Sequence, residues 1–463
     1  MRIRACKLRN KRKIMRNFKK LFVLALALVM IAAACVLGVA CNDKDGDKAV
    51  SFVKADKSND GYATVYIDGD RDMRIMVLSD PQVDVFEKYK VVGSPGNDRT
   101  YAFVEDFVKT TNPDLVIING DLVMNDMPFT SSTPYFDRYG EIFERLQTPW
   151  TFTFGNHDCD LKWTMASAEV DTENKQCSKA KLIEYMSQKY AHCLMNSDEK
   201  CLDGDGNHFV NIRKRSGELV YTLCLLDCTF DENKVYNYVP TANQVDWYRD
   251  TINSISDREL GENRGENVVK SMIFNHVGIP EFKEAWDKAW NGGNPTSDYF
   301  YGHYFEGNYS KKYADMPQNE RIFTVAKELG SASAIFMCHH HDNDFSVNYE
   351  GIRLTFGQHS GYSHNYRTTH DEHGNTSGDY KGWKGVSFER IDDYGDQRGG
   401  TLVTITKDGE FTITPTYAKD VLSNYKSDYY IDYDAVANAL ESNPNFENGQ
   451  GKIARGTSRK WKI

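Results

Sequence analysis

Asp80, Gln82, Asp121, Asn156, His276, His339 and His341 are the side chains of this 463-residue chain whose types and spacing could do chemistry. Each comes just after a short apolar run. "IMVLS" leads into Asp80-Pro81-Gln82, "LVIIN" into Gly120-Asp121, "TFTF" into Gly155-Asn156-His157-Asp158, "MIF" into Asn275-His276, and "AIFM" into Cys338-His339-His340-His341. Carboxylate, amide and imidazole donors together make an oxygen and nitrogen set suited to divalent or trivalent first-row ions such as Mn, Fe or Zn, with no need for thiolate. One ion takes about four protein ligands, so this many candidates imply two. A pair about 3.5 to 4 Å apart can clamp the attacking and leaving oxygens of a phosphoryl centre. Singly, each residue also has an ordinary role: Asp80 as a cap or turn former, Gly120-Asp121 as a turn, Asn156 in an Asx-turn, His276 as a hydrogen-bonded core histidine. Their recurrence after five separate strands is what points to a site, because ligands in open α/β sheets bind beyond the carboxyl ends of the strands.

Such a site needs a scaffold that gathers distant strand ends. "MRIMVLS" at 73–79, "DLVIIN" at 114–119, "WTFTF" at 150–154, "LVYTLCLL" at 219–226, "VKSMIF" at 269–274 and "SAIFM" at 333–337 have the length and β-branched or aromatic content of buried strands. Between them, "TYAFVEDFVKTT" repeats Phe103, Val104, Phe107 and Val108 at helical spacing, and "EIFERL", "AKLIEYMSQKY", "NQVDWYRDTINSI" and "RIFTVAKEL" follow the same rhythm. The alternation predicts an α/β protein. If the histidine triplet is extended, His339 and His341 share a face and can each meet an ion, while His340 lies behind them or reaches toward substrate. The stretch 285–316, rich in aromatics, Gly and Asn, is expected to form a long irregular segment overhanging the site. "GTLVTITKDGEFTITPTY" near 400–417 reads as a closing hairpin.

The ordered blocks Asp80-x-Gln82, Gly120-Asp121, Gly155-Asn156-His157-Asp158, Asn275-His276 and His339-x-His341 resemble those of the calcineurin-like metallophosphoesterases over roughly 73–417. "FNHVGIPEF" and "CHHHDNDF" are similar to the purple-acid-phosphatase-like branch in particular. The resemblance implies a four-layer α/β/β/α sandwich of two mixed β-sheets flanked by helices. It also implies roles. Asp80, Gln82, Asp121 and His341 would hold one metal ion, and Asp121, Asn156, His276 and His339 a second, with Asp121 bridging. His157 would act as general acid or stabilise charge on the phosphoryl oxygens, oriented by Asp158, and a metal-bridging hydroxide would be the nucleophile. His340, His303, Glu306, His359 and Tyr362, with His364 beside them, would line the substrate pocket. Three positions depart from the pattern: Gln82 stands where the family usually has His, and Cys338 and His340 flank His339 where Gly and Asp are more usual.

Composition sets the remaining limits. The first twenty residues carry ten Lys/Arg and no acid, and the next twenty carry no charge, the order of an export signal or membrane anchor. Cys41 in "GVAC" resembles the lipidated cysteine of a bacterial lipoprotein, while twenty apolar residues also suffice for an uncleaved membrane span. Either leaves the protein exported and tethered to a membrane through its N-terminus. Without the ten leader cations, 46 basic side chains face 66 acidic ones, which argues against nucleic-acid wrapping and leaves a small phosphoester as the expected partner. Cys193 and Cys201 could close a short disulfide loop, whereas Cys224 and Cys338 read as buried thiols. The expected organisation is a leader at 1–41, a linker with an edge strand at 42–72, a catalytic domain at 73–417, and a helix and tail at 418–463. The expected activity is hydrolysis of phosphoric mono- or diesters, the alternative being a surface binding protein that keeps the fold with little or no turnover.

Overall fold

Two mixed sheets packed face to face carry the chain. The computed structural model describes residues 50–430 apart from 57–59, 70, 85–95, 125–131, 159–178, 230–238, 305–312, 314, 342, 363–378, 381–382 and 385–397. The smaller sheet runs, in spatial order, β18 (Phe411–Tyr417), β17 (Gly399–Ile405), β3 (Met73–Leu78), β5 (Leu115–Asn119) and β7 (Trp150–Thr153). Its last three strands are parallel. The larger runs β1 (Phe52–Val53), β2 (Ala63–Ile67), β8 (His208–Lys214), β9 (Leu219–Leu225), β10 (Ser271–Val277), β12 (Ala332–Cys338), β14 (Ile352–Phe356), β13 (Asp344–Tyr349) and β11 (Tyr299–His303). Strands β9, β10, β12 and β14 are parallel to one another. Among the described residues two small pairs complete the strands, β4 (Val83–Asp84) with β6 (Val123–Met124) and β15 (Asp379–Tyr380) with β16 (Trp383–Lys384).

Three apolar clusters fill the layers. Ile75, Val77, Ile117, Leu223, Phe274 and Phe336 meet between the sheets. On the outer face of the smaller sheet, α1 (Gly96–Thr111), α2 (Thr133–Leu146) and α3 (Lys179–Lys189) pack through Phe103, Phe107, Phe143 and Leu182. Against the larger sheet, α4 (Ala242–Leu260), α5 (Glu281–Trp290) and α6 (Ile322–Leu329) bury Trp247, Ile252, Phe282 and Phe323. A strand buried on both faces reads as a continuous apolar run, which is why "LVIIN" and "SMIF" lack alternation. The four-layer α/β/β/α arrangement that the resemblance implied is present.

Several expectations need correction. The alternating run at 62–68 is not an edge strand, since β2 is an inner strand paired with both β1 and β8, and residues 42–49 lie outside the described residues. Its alternation suits one face, Ala63, Val65 and Ile67, set in the inter-sheet core. The 285–316 segment is not wholly irregular: α5 extends to Trp290 and β11 adds to the sheet edge. Cys193 and Cys201 are free thiols buried in the cores on opposite sides of the sandwich, so no disulfide joins them. Of the expected C-terminal helix and tail, the described residues form α7 (Ala418–Val421) and a π-helical turn at Tyr425–Tyr429, where the Tyr429 hydroxyl meets Asp106 of α1, and residues 431–463 lie outside them. Among the described residues no helix is long and apolar enough to cross a membrane, and the basic and apolar leader lies outside them.

One inter-sheet contact carries a pH prediction. His208 is fully buried, with Nε2 2.7 Å from the Thr151 hydroxyl and Nδ1 2.8 Å from the Gly206 carbonyl. The carbonyl only accepts, so Nδ1 carries the proton and the neutral ring is satisfied at both ends. Burial lowers its pKa to about 4. Unfolded histidine takes up a proton near 6.5 and the folded one does not until about 4, so stability falls as pH drops through that window, by up to about 3 kcal/mol. His208→Gln is expected to flatten the difference between denaturant unfolding at pH 7 and pH 4.5 by about 2 kcal/mol or more. An unchanged difference would mean that other groups govern acid unfolding.

Candidate metal centre

The loops after β3 and β5 are stitched together where they leave the smaller sheet. Asp80 N–H donates to the Gly120 carbonyl (3.3 Å), Gln82 N–H to the Asp121 carbonyl (2.9 Å) and Val83 N–H to the Leu122 carbonyl (3.1 Å). This ladder bends sharply: Asp80, Gln82 and Asp121 have φ of 50°, 44° and 50°, and His339 across the site has φ of 80°. Non-glycine residues seldom adopt the left-handed region, and such strain persists where surrounding structure enforces it. Here it turns four candidate ligands into one pocket.

Glycines make the pocket possible. A Cβ on Gly155 would lie 2.1 Å from Asp121 Oδ1, and one on Gly120 would lie 2.3 Å from His276 Nδ1. Both glycines let backbone pass within contact of a candidate ligand.

Asp121 is the centre. Its Oδ2 accepts from Gln82 Nε2 (3.0 Å) and lies 3.1 Å from His276 Nε2, while Oδ1 accepts from His157 N–H (2.9 Å). His276 Nε2 also lies 3.2 Å from Asn156 Oδ1 and 3.8 Å from Asp80 Oδ1. His341 Nε2 is 3.3 Å from the same Asp80 oxygen, and Asp80 Oδ2 accepts from His339 N–H at 3.2 Å. Asp121, His276 and His339 bring donor atoms within 4.8 Å of one another; so do Asp80, Asp121 and His341. Asp121 belongs to both groups.

Charge follows from this crowding. Burial alone would raise the Asp121 pKa, but His276, His157 and His339 hold its carboxylate far below the ordinary range. Burial opposes protonation of His276, yet Asp121, Cys338 and Asp80 raise it well above the usual value. His339 is pushed well below normal by burial and by the neighbouring His340 and His276. Burial and the Asp121 charge lift Asp158 to about 7 despite N–H donors at Gly155 and Val123.

The donor set fits two cations. Asp80 Oδ1 and Gln82 Oε1 are buried with no hydrogen-bond partner, an expensive state for polar oxygens unless a cation meets them. The Gln82 amide uses its NH₂ on Asp121, so only its oxygen is left to face an ion.

Of the sequence candidates, the structure brings together Asp80, Gln82, Asp121, Asn156, His157, His276, His339 and His341. His276 sits inside β10 rather than after it, at a register shift between Phe274 and Val277 that turns the side chain. The triplet does not continue an extended strand: β12 ends at Cys338, and a left-handed His339 begins a turn. His340 stacks on Phe356, 6.0 Å between centroids at 21°, and burial with His341 lowers its pKa to about 4. It packs behind the site against Phe356. Asp158 does not aim at the His157 ring through its carboxylate, whose oxygens accept from Val123 N–H (3.0 Å) and Gly155 N–H (2.7 Å). It fixes the loop that carries His157.

The outer candidates divide. His359 stands against His341, ring centroids 4.8 Å apart. Tyr362 is not in the pocket; it lies in the helix-side core against Phe103 and Tyr429, because the chain after Ser360 dives beneath α1. His303 ends β11, and the Cα register Met337, Phe356, Phe345, Gly302 places it on the same sheet edge, three strands from β12 or roughly 14 Å. Its Nδ1 meets Asp344 Oδ1 (2.9 Å), and Asp344 Oδ2 accepts from Tyr417 (2.7 Å). Glu306 and His364 lie outside the described residues. The sequence reading missed the supporting Asn119, which is hidden inside an apolar strand, and the carboxylate partner Asp344.

Two mixed sheets face to face, with carboxylate, amide and imidazole donors converging on one strand edge, define an α/β sandwich with the make-up of a metal centre. The chain belongs to the calcineurin-like phosphoesterase family, whose profile matches residues 73–384. It is 23% identical over 275 residues to an Arabidopsis thaliana protein named "Probable inactive purple acid phosphatase 29", covering 57% of this chain and 63% of that one. To "Probable inactive purple acid phosphatase 28" of the same plant it is 22% identical over 277 residues, covering 57% and 62%. The chain therefore spans less than two thirds of these curated relatives. A solved structure of a dimetal phosphatase from Danio rerio aligns with TM-score 0.36 and 10% identity, covering 75% of this chain and 100% of that one.

Proposed function

We propose that this protein hydrolyses small phosphoric mono- or diesters with two bound metal ions, tethered by its N-terminal leader on the outer side of a membrane. The carrying observation is that Asp121 joins the donor group of His276 and His339 to that of Asp80 and His341. Asp80, Gln82, Asp121 and His341 would hold one ion, and Asp121, Asn156, His276 and His339 the other. Bound cations of the Mn, Fe or Zn kind would neutralise phosphoryl oxygens and acidify water at the site. Gln82 offers a neutral, harder donor than the family's imidazole, which favours Mn or Mg over Zn on its side. His157, hung from Asp121 by its backbone N–H, stands close enough to influence that carboxylate and would give a proton to the leaving oxygen. Asp158 keeps its loop from shifting. The acidic body disfavours nucleic acid, and the basic, apolar leader supports the tether.

The second reading is a phosphate-binding surface protein without turnover. The names of the curated relatives and the Gln82 substitution favour it. Full-length protein assayed on p-nitrophenyl phosphate and its bis-ester with added Mn²⁺, Fe²⁺ or Zn²⁺ separates the two. Hydrolysis that falls about 100-fold or more in His157→Ala is expected. No hydrolysis with any metal, alongside calorimetric binding of inorganic phosphate, would favour the binder.

A further inference from the structure

His276 meets Asp121 and Asn156 through Nε2; its other ring edge faces a different set of groups. Nδ1 lies 3.0 Å from the Asn119 carbonyl and 3.1 Å from Cys338 Sγ, and that thiol donates to the same carbonyl at 2.5 Å. The carbonyl itself is anchored. Asn119 ends β5, its Nδ2 donates to the Asn275 carbonyl (3.1 Å), and its Oδ1 accepts from Thr153 of β7 (3.2 Å). Gly120 closes the remaining side, with no room for a Cβ beside Nδ1.

We propose that Cys338 is a positioning residue for the His276 ligand face: thiol and carbonyl together hold the imidazole protonated on Nδ1, leaving Nε2 to meet a metal ion beside Asp121. This rests on the metal-centre reading above. A carbonyl oxygen can only accept, so the proton between it and the ring belongs to Nδ1. The thiol has one proton, which goes to the carbonyl, and its sulfur lone pairs receive the ring N–H on the other side. Metal-ligating histidines characteristically use their second nitrogen in this way, and loss of such a partner typically costs about 10- to 100-fold in metal affinity. Space explains why a side chain is needed. The register shift at Asn275-His276 lifts β10 away from β12, where Val277 pairs with Cys338. With glycine there, the pattern usual in the resembled family, the Nδ1 edge would have the carbonyl alone. A competing geometry exists, because Asp80, His276 and Cys338 also bring donors within 4.8 Å, so direct thiolate ligation is the alternative the test must separate.

The test uses full-length protein stripped of metal and titrated calorimetrically with Mn²⁺. Wild type and Cys338→Ser, which keeps a small donor, should take up two ions with affinities within about threefold of each other. Cys338→Ala and Cys338→Gly should bind one of the two ions about 10- to 100-fold more weakly. Cys338→Gly, carrying the family's usual residue, serves if the alanine variant does not fold. Wild type loaded with Co²⁺ should show no sulfur-to-cobalt charge-transfer band. Ala and Gly variants that bind both ions like wild type, with only a lower Tm, would reduce Cys338 to core filler and overturn the proposal. A thiolate band would overturn it in favour of direct ligation. Wild type that takes up no Mn²⁺ would overturn the metal-centre reading and this inference with it.

Discussion

Asp121→Asn is expected to give a folded protein that retains neither metal ion and hydrolyses p-nitrophenyl phosphate esters at least about 1000-fold more slowly, equivalent to about 4 kcal/mol of lost transition-state stabilisation. The shape of the side chain is kept, so the sheets and their three apolar clusters remain. What changes is charge and polarity at the residue that joins the donor group of His276 and His339 to that of Asp80 and His341. Asp121 receives Gln82 Nε2, His157 N–H and His276 Nε2, all of them donors in the metal-free protein. An amide can accept only through one atom and turns its NH₂ toward another donor, so at least one contact becomes repulsive. A neutral amide also cannot join two cations. Metal content after dialysis, measured beside turnover and far-UV circular dichroism, checks the prediction. A variant that keeps both ions, or a rate within tenfold of wild type, would remove Asp121 from the centre of the site.

Gly155→Ala is expected to abolish hydrolysis nearly as completely while replacing no ionisable group. The added methyl would stand 2.1 Å from Asp121 Oδ1 and 2.5 Å from Asp121 N, and the latter is backbone held in the ladder with Gln82. Neither can retreat without moving the Asp121 carboxylate or the loop bearing Asn156 and His157. Overpacking of this kind costs roughly 1 to 3 kcal/mol of stability, and the displacement of ligands should lower turnover by more than about 100-fold. Gly217→Ala is the control: its φ of 92° strains any Cβ, but nothing lies within 4 Å. That variant should lose roughly 1 kcal/mol in stability with unchanged turnover. Equal activity in the two variants would show that loss of stability, and not the position of Asp121, governs the outcome.

The periodicity of "LVIIN", "SMIF" and "TYAFVEDFVKTT" determined where strands and helices form, because apolar spacing decides which face each element can bury. The five polar blocks determined which residue types arrive at strand ends, and hence that oxygen and nitrogen donors would gather. Tertiary structure decided the rest. It placed His276 within β10, turned the histidine triplet at His339 instead of extending it, sent Tyr362 into the core and left Cys193 and Cys201 apart. None of these follows from local pattern, since each depends on a partner far along the chain: a bulge set by β12, a loop stitched to Asp80, a helix waiting above Tyr362. The same holds for Asn119 and Cys338, which read as the ends of apolar strands and become a hydrogen-bonded cradle only when β5 and β12 converge beneath His276.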